Sequence, residues 1–230
     1  MSRILSSLLL ILLSLSIVFA QQNQTSEESL EGFLKAMGGR ENWAAVKGVH
    51  LTVIHHTTSV RLPFKNVIWN DFETPRHRIE ASNPEYKRTL IWQKSGEDWL
   101  KRDNETARNL TEQEKTSEAR WWESNPYRTI NRLAKRDTEL SVKLIDSDRL
   151  GVFRADGVRL CWFRLNQLNE PISFGTWDGE DGTIFGPLME ANFGLKHPKW
   201  TARPDGRWRA ESIKFEFSKT AMNFETSQPK

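Results

Sequence analysis

Two hydrophobic periods organise this chain. Leu30, Phe33, Leu34 and Met37 recur at i, i+3, i+4 and i+7, the single apolar stripe of a helix packed on a core. Thr25-Ser26-Glu27-Glu28 has the form of a capping box, and Gly38-Gly39 supplies a left-handed stop, so the pattern predicts a helix over residues 25–37. A short turn over 41–47 presents Trp43 and Val46. From Gly48 the period becomes two. Val49, Leu51 and Val53 alternate with His50, Thr52 and Ile54, which predicts a strand. Further strands are predicted at 64–72, 77–82, 86–93 and 99–102, with Ser95-Gly96-Glu97-Asp98 turning a hairpin between the last two. Within 86–93, Tyr86, Leu90 and Trp92 oppose Lys87, Thr89 and Gln93, the signature of a sheet with one wet face.

The helical period returns over 111–135. Thr111-Glu112-Gln113-Glu114 is a second capping box, and Ala119, Trp122, Tyr127, Ile130, Leu133 and Ala134 form the stripe. Pro126 divides the segment into two helices. Strands are then predicted at 139–145, 150–155, 158–165, 171–177, 195–201 and 207–218, with hairpin turns at Asp156-Gly157 and Asp205-Gly206. Residues 158–165 are apolar on both parities, as in a central strand covered on both faces, which makes Cys161 a buried thiol. In the last strand Ile213, Phe215 and Phe217 share a parity that Trp208 does not, so a bulge is expected near 210–212, or a tryptophan facing the other side. No repeat or linker divides residues 21–230. They are expected to form one α+β domain, with helices laid against one face of a curved antiparallel sheet.

Residues 1–20 read as an export signal. Arg3 leads an apolar run over 4–19, and Val18-Phe19-Ala20 forms a small-x-small site before Gln21. The expected address is periplasmic or secreted. With 33 basic and 30 acidic residues and a net charge of +3, the surface is mixed, which argues against a nucleic-acid partner. The single cysteine excludes an internal disulfide and offers no lipid attachment at the cleavage site. Sequons begin at Asn23, Asn104 and Asn109, and glycosylation there depends on the source.

The block Leu34-Lys35-Ala36-Met37-Gly38-Gly39-Arg40-Glu41-Asn42-Trp43, running into Val46-Lys47-Gly48-Val49, resembles the entry segment of exported bacterial proteins of the outer-membrane lipoprotein carrier group, LolA/LolB-like. Asn66-Val67-Ile68-Trp69 before Pro75-Arg76-His77, Asn125-Pro126-Tyr127-Arg128, and Phe193-Gly194-Leu195-Lys196-His197-Pro198 agree with it in order. The resemblance implies an incomplete β-barrel with helices covering its concave face over an apolar cavity.

Ten tryptophans and twelve phenylalanines suit either an ordinary core or a lined pocket. Inward parity is expected for Leu51, Val53, Leu90, Trp92, Trp99, Val152, Leu160, Trp162, Phe215 and Phe217. The candidate ligand-binding residues are Trp92, Trp99, Trp122, Trp162 and Phe215, under helices whose movement would admit the ligand. No nucleophile elbow, zinc, P-loop or C-x-x-C motif occurs, so no catalytic residue, cofactor or metal is assigned. His50 and His56 share a strand face but stand roughly 20 Å apart, too far for one ion. Asp146 and Asp148 share a face without implying a glycosidase pair, and residues 177–183 read as a hairpin loop, not a calcium loop. The expectation is a monomeric, non-catalytic exported protein that binds a lipid or acylated ligand and touches a membrane surface. The alternatives are an envelope interaction module with a filled core, or an extracytoplasmic hydrolase.

Overall fold

The computed structural model describes residues 25–176 and 182–228. The export signal expected at 1–20 and most of the loop at 177–183 lie outside the described residues. The chain opens with α1 (Ser26–Ala36) and α2 (Arg40–Ala44), then β1 (Gly48–Thr57), β2 (Phe64–Asp71), β3 (Arg76–Asn83), β4 (Tyr86–Gln93), β5 (Trp99–Arg102) and β6 (Arg108–Asn109). Helices α3 (Glu112–Glu123) and α4 (Pro126–Ala134) follow. The second run of strands comprises β7 (Leu140–Leu144), β8 (Arg149–Arg154), β9 (Arg159–Leu165), β10 (Pro171–Thr176), β11 (Thr183–Phe185), β12 (Leu188–Glu190), β13 (Lys196–Pro198), β14 (Trp200–Ala202) and β15 (Trp208–Ser218).

Both capping boxes form as read: Thr25 with Glu28, and Thr111 with Glu114. Pro126 occupies the first turn of α4, where its missing N–H costs nothing, and Asn125 caps that helix by accepting from Tyr127 and Arg128. Gly39 N–H returns to Leu34 and Gly38 N–H to Lys35, which closes α1, and Gly38 takes a φ of 112°.

Thirteen strands form one antiparallel sheet in the order β6-β5-β4-β3-β2-β1-β15-β14-β11-β10-β9-β8-β7, with β12 and β13 a separate ribbon. The sheet does not close. β6 and β7 are its two edges, and α3–α4 carry the chain from one edge to the other. This is the α+β architecture of helices against an open curved sheet.

The larger core joins α1, α2 and α4 to β1, β8, β9, β10 and β15 through Phe33, Leu34, Trp43, Ile130, Phe163 and Phe217. Phe33 meets Phe163 at 4.8 Å, and Trp43 stands edge-on to Phe217 at 4.9 Å. Polar ties lock these helices together. Asn131 donates to the carbonyls of Trp43 and Val46, and Arg40 pairs with Glu31 while capping α4 at Leu133 and Ala134. A second, smaller core of Leu90, Trp92, Leu100, Leu110 and Trp122 lies under α3.

Two bulges revise the expected parities. Thr52 pairs with Lys214 but Val53 with Ser212, so Ile213 is the extra residue and points to solvent at 62 % exposure, apart from Phe215 and Phe217. Val152 pairs with Cys161 but Phe153 with Arg159. The extra residue there is Leu160, which turns inward beside Cys161. The strand expected over 195–201 divides at Lys199: β13 pairs with β12, and β14 joins the main sheet.

Candidate binding site on the inner face

Residues opposite one another in an antiparallel pair share a face, so the register maps the helix-covered side in rows. The first row runs Phe217, Val49, Asn70, His77, Trp92. The second runs Phe215, Leu51, Ile68, Ile79, Leu90, Leu100. The third runs Ser212, Val53, Asn66, Ala81, Arg88, Arg102.

The first row is sealed. Trp43 and Tyr127 cover Phe217, and the indole N–H of Trp122 donates to the Asp71 carbonyl at 2.7 Å beneath the Arg128 guanidinium. Burial, with Arg132 nearby, lowers the pKa of that guanidinium to about 10 against the weaker opposing pull of Glu123, Asp137 and Glu139. His77, fully buried, stacks on Trp92, meets the edge of Trp121 and holds Glu118 through Nε2 at 2.9 Å. Burial lowers its pKa and outweighs the opposing pull of Glu118.

The second row is different. Leu51, Ile68 and Ile79 remain half-buried in the middle of the face. Tyr127, which packs on Phe215, is also half-buried, yet the surrounding protein raises its phenol pKa. The inner residues of β2, Asn66, Ile68 and Asn70, belong to neither core and form a seam between them. Polar atoms without partners collect along this side of the sheet: Asn66 Oδ1, both amide atoms of Asn70, His77 Nδ1 and Arg88 Nε. Each is a buried group that a water or ligand would satisfy.

The five candidate ligand residues do not converge. Trp92, Trp122 and Phe215 stand on the inner side. Trp99 pairs with Ile91 and faces outward, where its N–H donates to the Thr226 carbonyl of the C-terminal segment. Trp162 also faces outward, because Cys161, Phe163 and Leu165 take the inner side of β9. Its indole lies over Gly175, where an added Cβ would sit 2.3 Å from the ring, and the Arg149 guanidinium stands 5.5 Å from the ring centroid. The inward parity expected of Trp99 and Trp162 is thereby corrected. The room expected beneath α1, α2 and α4 is filled by Phe33, Leu34 and Trp43, each fully buried.

His50 stacks on Trp69 at 4.8 Å, while His55 stacks on Phe64 and accepts from the Trp208 indole at 2.8 Å. Among the described residues no helix is long and apolar enough to cross a membrane. Cys161 is buried as read, and burial pushes its thiol pKa up to about 12.

Asn66 and Asn70 did not stand out as inner in the sequence, because in β2 both parities mix polar and apolar residues. Arg88 reads there, with Lys87, Lys101 and Arg102, as a scattered charge of a solvated sheet face, whereas the register sets it in the row of Ala81 and Asn66.

No family model matches the sequence, and no curated protein matches it. Among solved structures, a DUF1329 family protein from Desulfovibrio piger shows 8% identity over 85% of this chain and 94% of its own, with a TM-score of 0.40.

Proposed function

We propose that this chain is an exported, non-enzymatic binding protein that holds a lipid-like molecule along the seam of β2, between its two cores. The observation that carries this reading is the half-burial of Leu51, Ile68 and Ile79 on the helix-bearing face, beside a first row that is fully buried. A saturated chain laid over that row gains ~0.8 kcal/mol per methylene removed from water. The unpartnered Asn66 Oδ1 and Asn70 amide flank the same strip and suit a ligand with polar as well as apolar parts. Arg3 and the apolar run behind it support export.

The test is recovery of lipid. Protein purified from its native envelope is expected to release about one lipid per chain on solvent extraction, read by mass spectrometry. After delipidation it is expected to bind a fluorescent sixteen-carbon probe, and Ile68→Asp is expected to weaken that binding at least tenfold. Trp162→Ala, altered on the far side of the sheet, should leave it unchanged. Extracts without lipid, together with a probe that does not bind, would favour the interaction-module reading. The filled space beneath α1, α2 and α4 supports that second reading.

A further inference from the structure

Resting on that reading, we infer that the ligand carries an anionic head, a carboxylate or a phosphate, and that Arg88 and Arg102 receive it on the third row of the inner face. β4 and β5 set these two arginines directly opposite each other. Like charges in that relation destabilise an antiparallel pair unless an anion lies between them. Neighbouring arginines of the same sheet have such a partner: Arg76 pairs with Asp71 at 3.1 Å, and Arg108 pairs with Glu114 at 2.8 Å. Among the described residues neither Arg88 nor Arg102 has a side-chain hydrogen bond or an ion pair, and Arg88 Nε is buried without an acceptor.

The surroundings fit an amphiphile. Asn66 lies on the same row, two strands from Arg88 across the small Ala81, and one end of its amide is buried without a partner. The neighbouring second row is aliphatic, with Ile79 facing Leu90 across the same two strands. A head at Arg88 therefore directs a chain over Ile79 and Ile68 toward Leu51. Arg102 is exposed and Arg88 half-buried, so the head would sit at the wet end and the chain at the covered end. A guanidinium suits an oxyanion because its planar fork gives two parallel charge-assisted bonds.

The experiment uses delipidated full-length protein and three probes of one chain length: hexadecanoate, hexadecyl phosphate and hexadecanol. Both anions are expected to bind at least tenfold tighter than the alcohol, and the tighter of the two identifies the head. Arg88→Met is expected to weaken the anions about tenfold while leaving hexadecanol within twofold. Arg102→Met, at an exposed position that tolerates substitution, acts in the same direction and serves if Arg88→Met fails to fold. Equal binding of alcohol and anions, or equal weakening of all three by Arg88→Met, would overturn the head-group site while leaving the binding reading intact. Failure of every probe to bind would remove both.

Discussion

His55 shows how a residue acquires its chemistry from its neighbours. On the sequence it is one of three histidines in β1, with His50 and His56. In the structure its ring is stacked on Phe64 and bonded to the Trp208 indole, and burial, with His56 beside it, lowers its pKa to about 4. His77 is shifted in the same direction by burial. An unfolded histidine titrates near 6.5. Below that pH the unfolded chain takes up protons that the folded one refuses, so stability is flat above pH 6.5 and falls as pH drops from 6.5 toward 4. Urea unfolding at pH 7.5 and pH 5 is expected to show the lower midpoint at pH 5. His55→Asn, which keeps an acceptor for Trp208, is expected to lessen the difference. Equal midpoints at the two pH values for the unaltered protein would rule this account out. The inner position of His55 was readable from the alternation of β1, but its partner Trp208, 153 residues away, was not.

At the scale of elements, the segment after β15 is the clearest case of structure without regular hydrogen bonding of its own. Its main chain is held by side chains of the sheet's outer face: Arg76 donates to the Met222 carbonyl, Arg78 to that of Glu225, and Trp99 to that of Thr226. Gln228 returns the tie by donating to Ala107, and Met222 is buried over Gly48. Removing residues 221–230 is expected to leave the sheet intact and cost about 2–4 kcal/mol, from one buried methionine and a few modest hydrogen bonds. Denaturant titration measures that loss, and quenching by acrylamide should rise as Trp99 becomes wet. Unchanged quenching would mean that Trp99 is covered by something else. No apolar period marks this segment, so nothing in its sequence predicted docking. The recognition runs through backbone carbonyls, which every residue carries. The helix ends were legible for the opposite reason, because capping boxes, Pro126 and Gly38-Gly39 act over three or four residues.

Across the whole molecule, two cores of unequal size share one sheet. The larger ties α1, α2 and α4 to strands from both halves of the chain, and the smaller ties α3 to β3–β5. The polar seam of β2 separates them, so the smaller unit is expected to open without the larger. Native-state hydrogen exchange should then show amides of β4 and β5 exchanging at lower free energy than those of β9 and β15. A single exchange free energy for all four strands would show that the seam does not divide the fold. Ligand bound along the seam is expected to narrow the gap, since it would touch both sides.

The chain's own sequence determined the periods, the caps, most of the turns and therefore nearly every long element, because these rest on contacts between residues a few positions apart. It also settled that β9 is covered on both faces. Which face is inner there was decided only by tertiary structure: strand order placed Cys161 and Phe163 against α1 and α4, and one bulge sent Leu160 with them. The same holds for Trp99 under the C-terminal segment and for Arg88 opposite Arg102. Those pairings depend on register across a thirteen-stranded sheet, and register is set by the fit of all the strands at once.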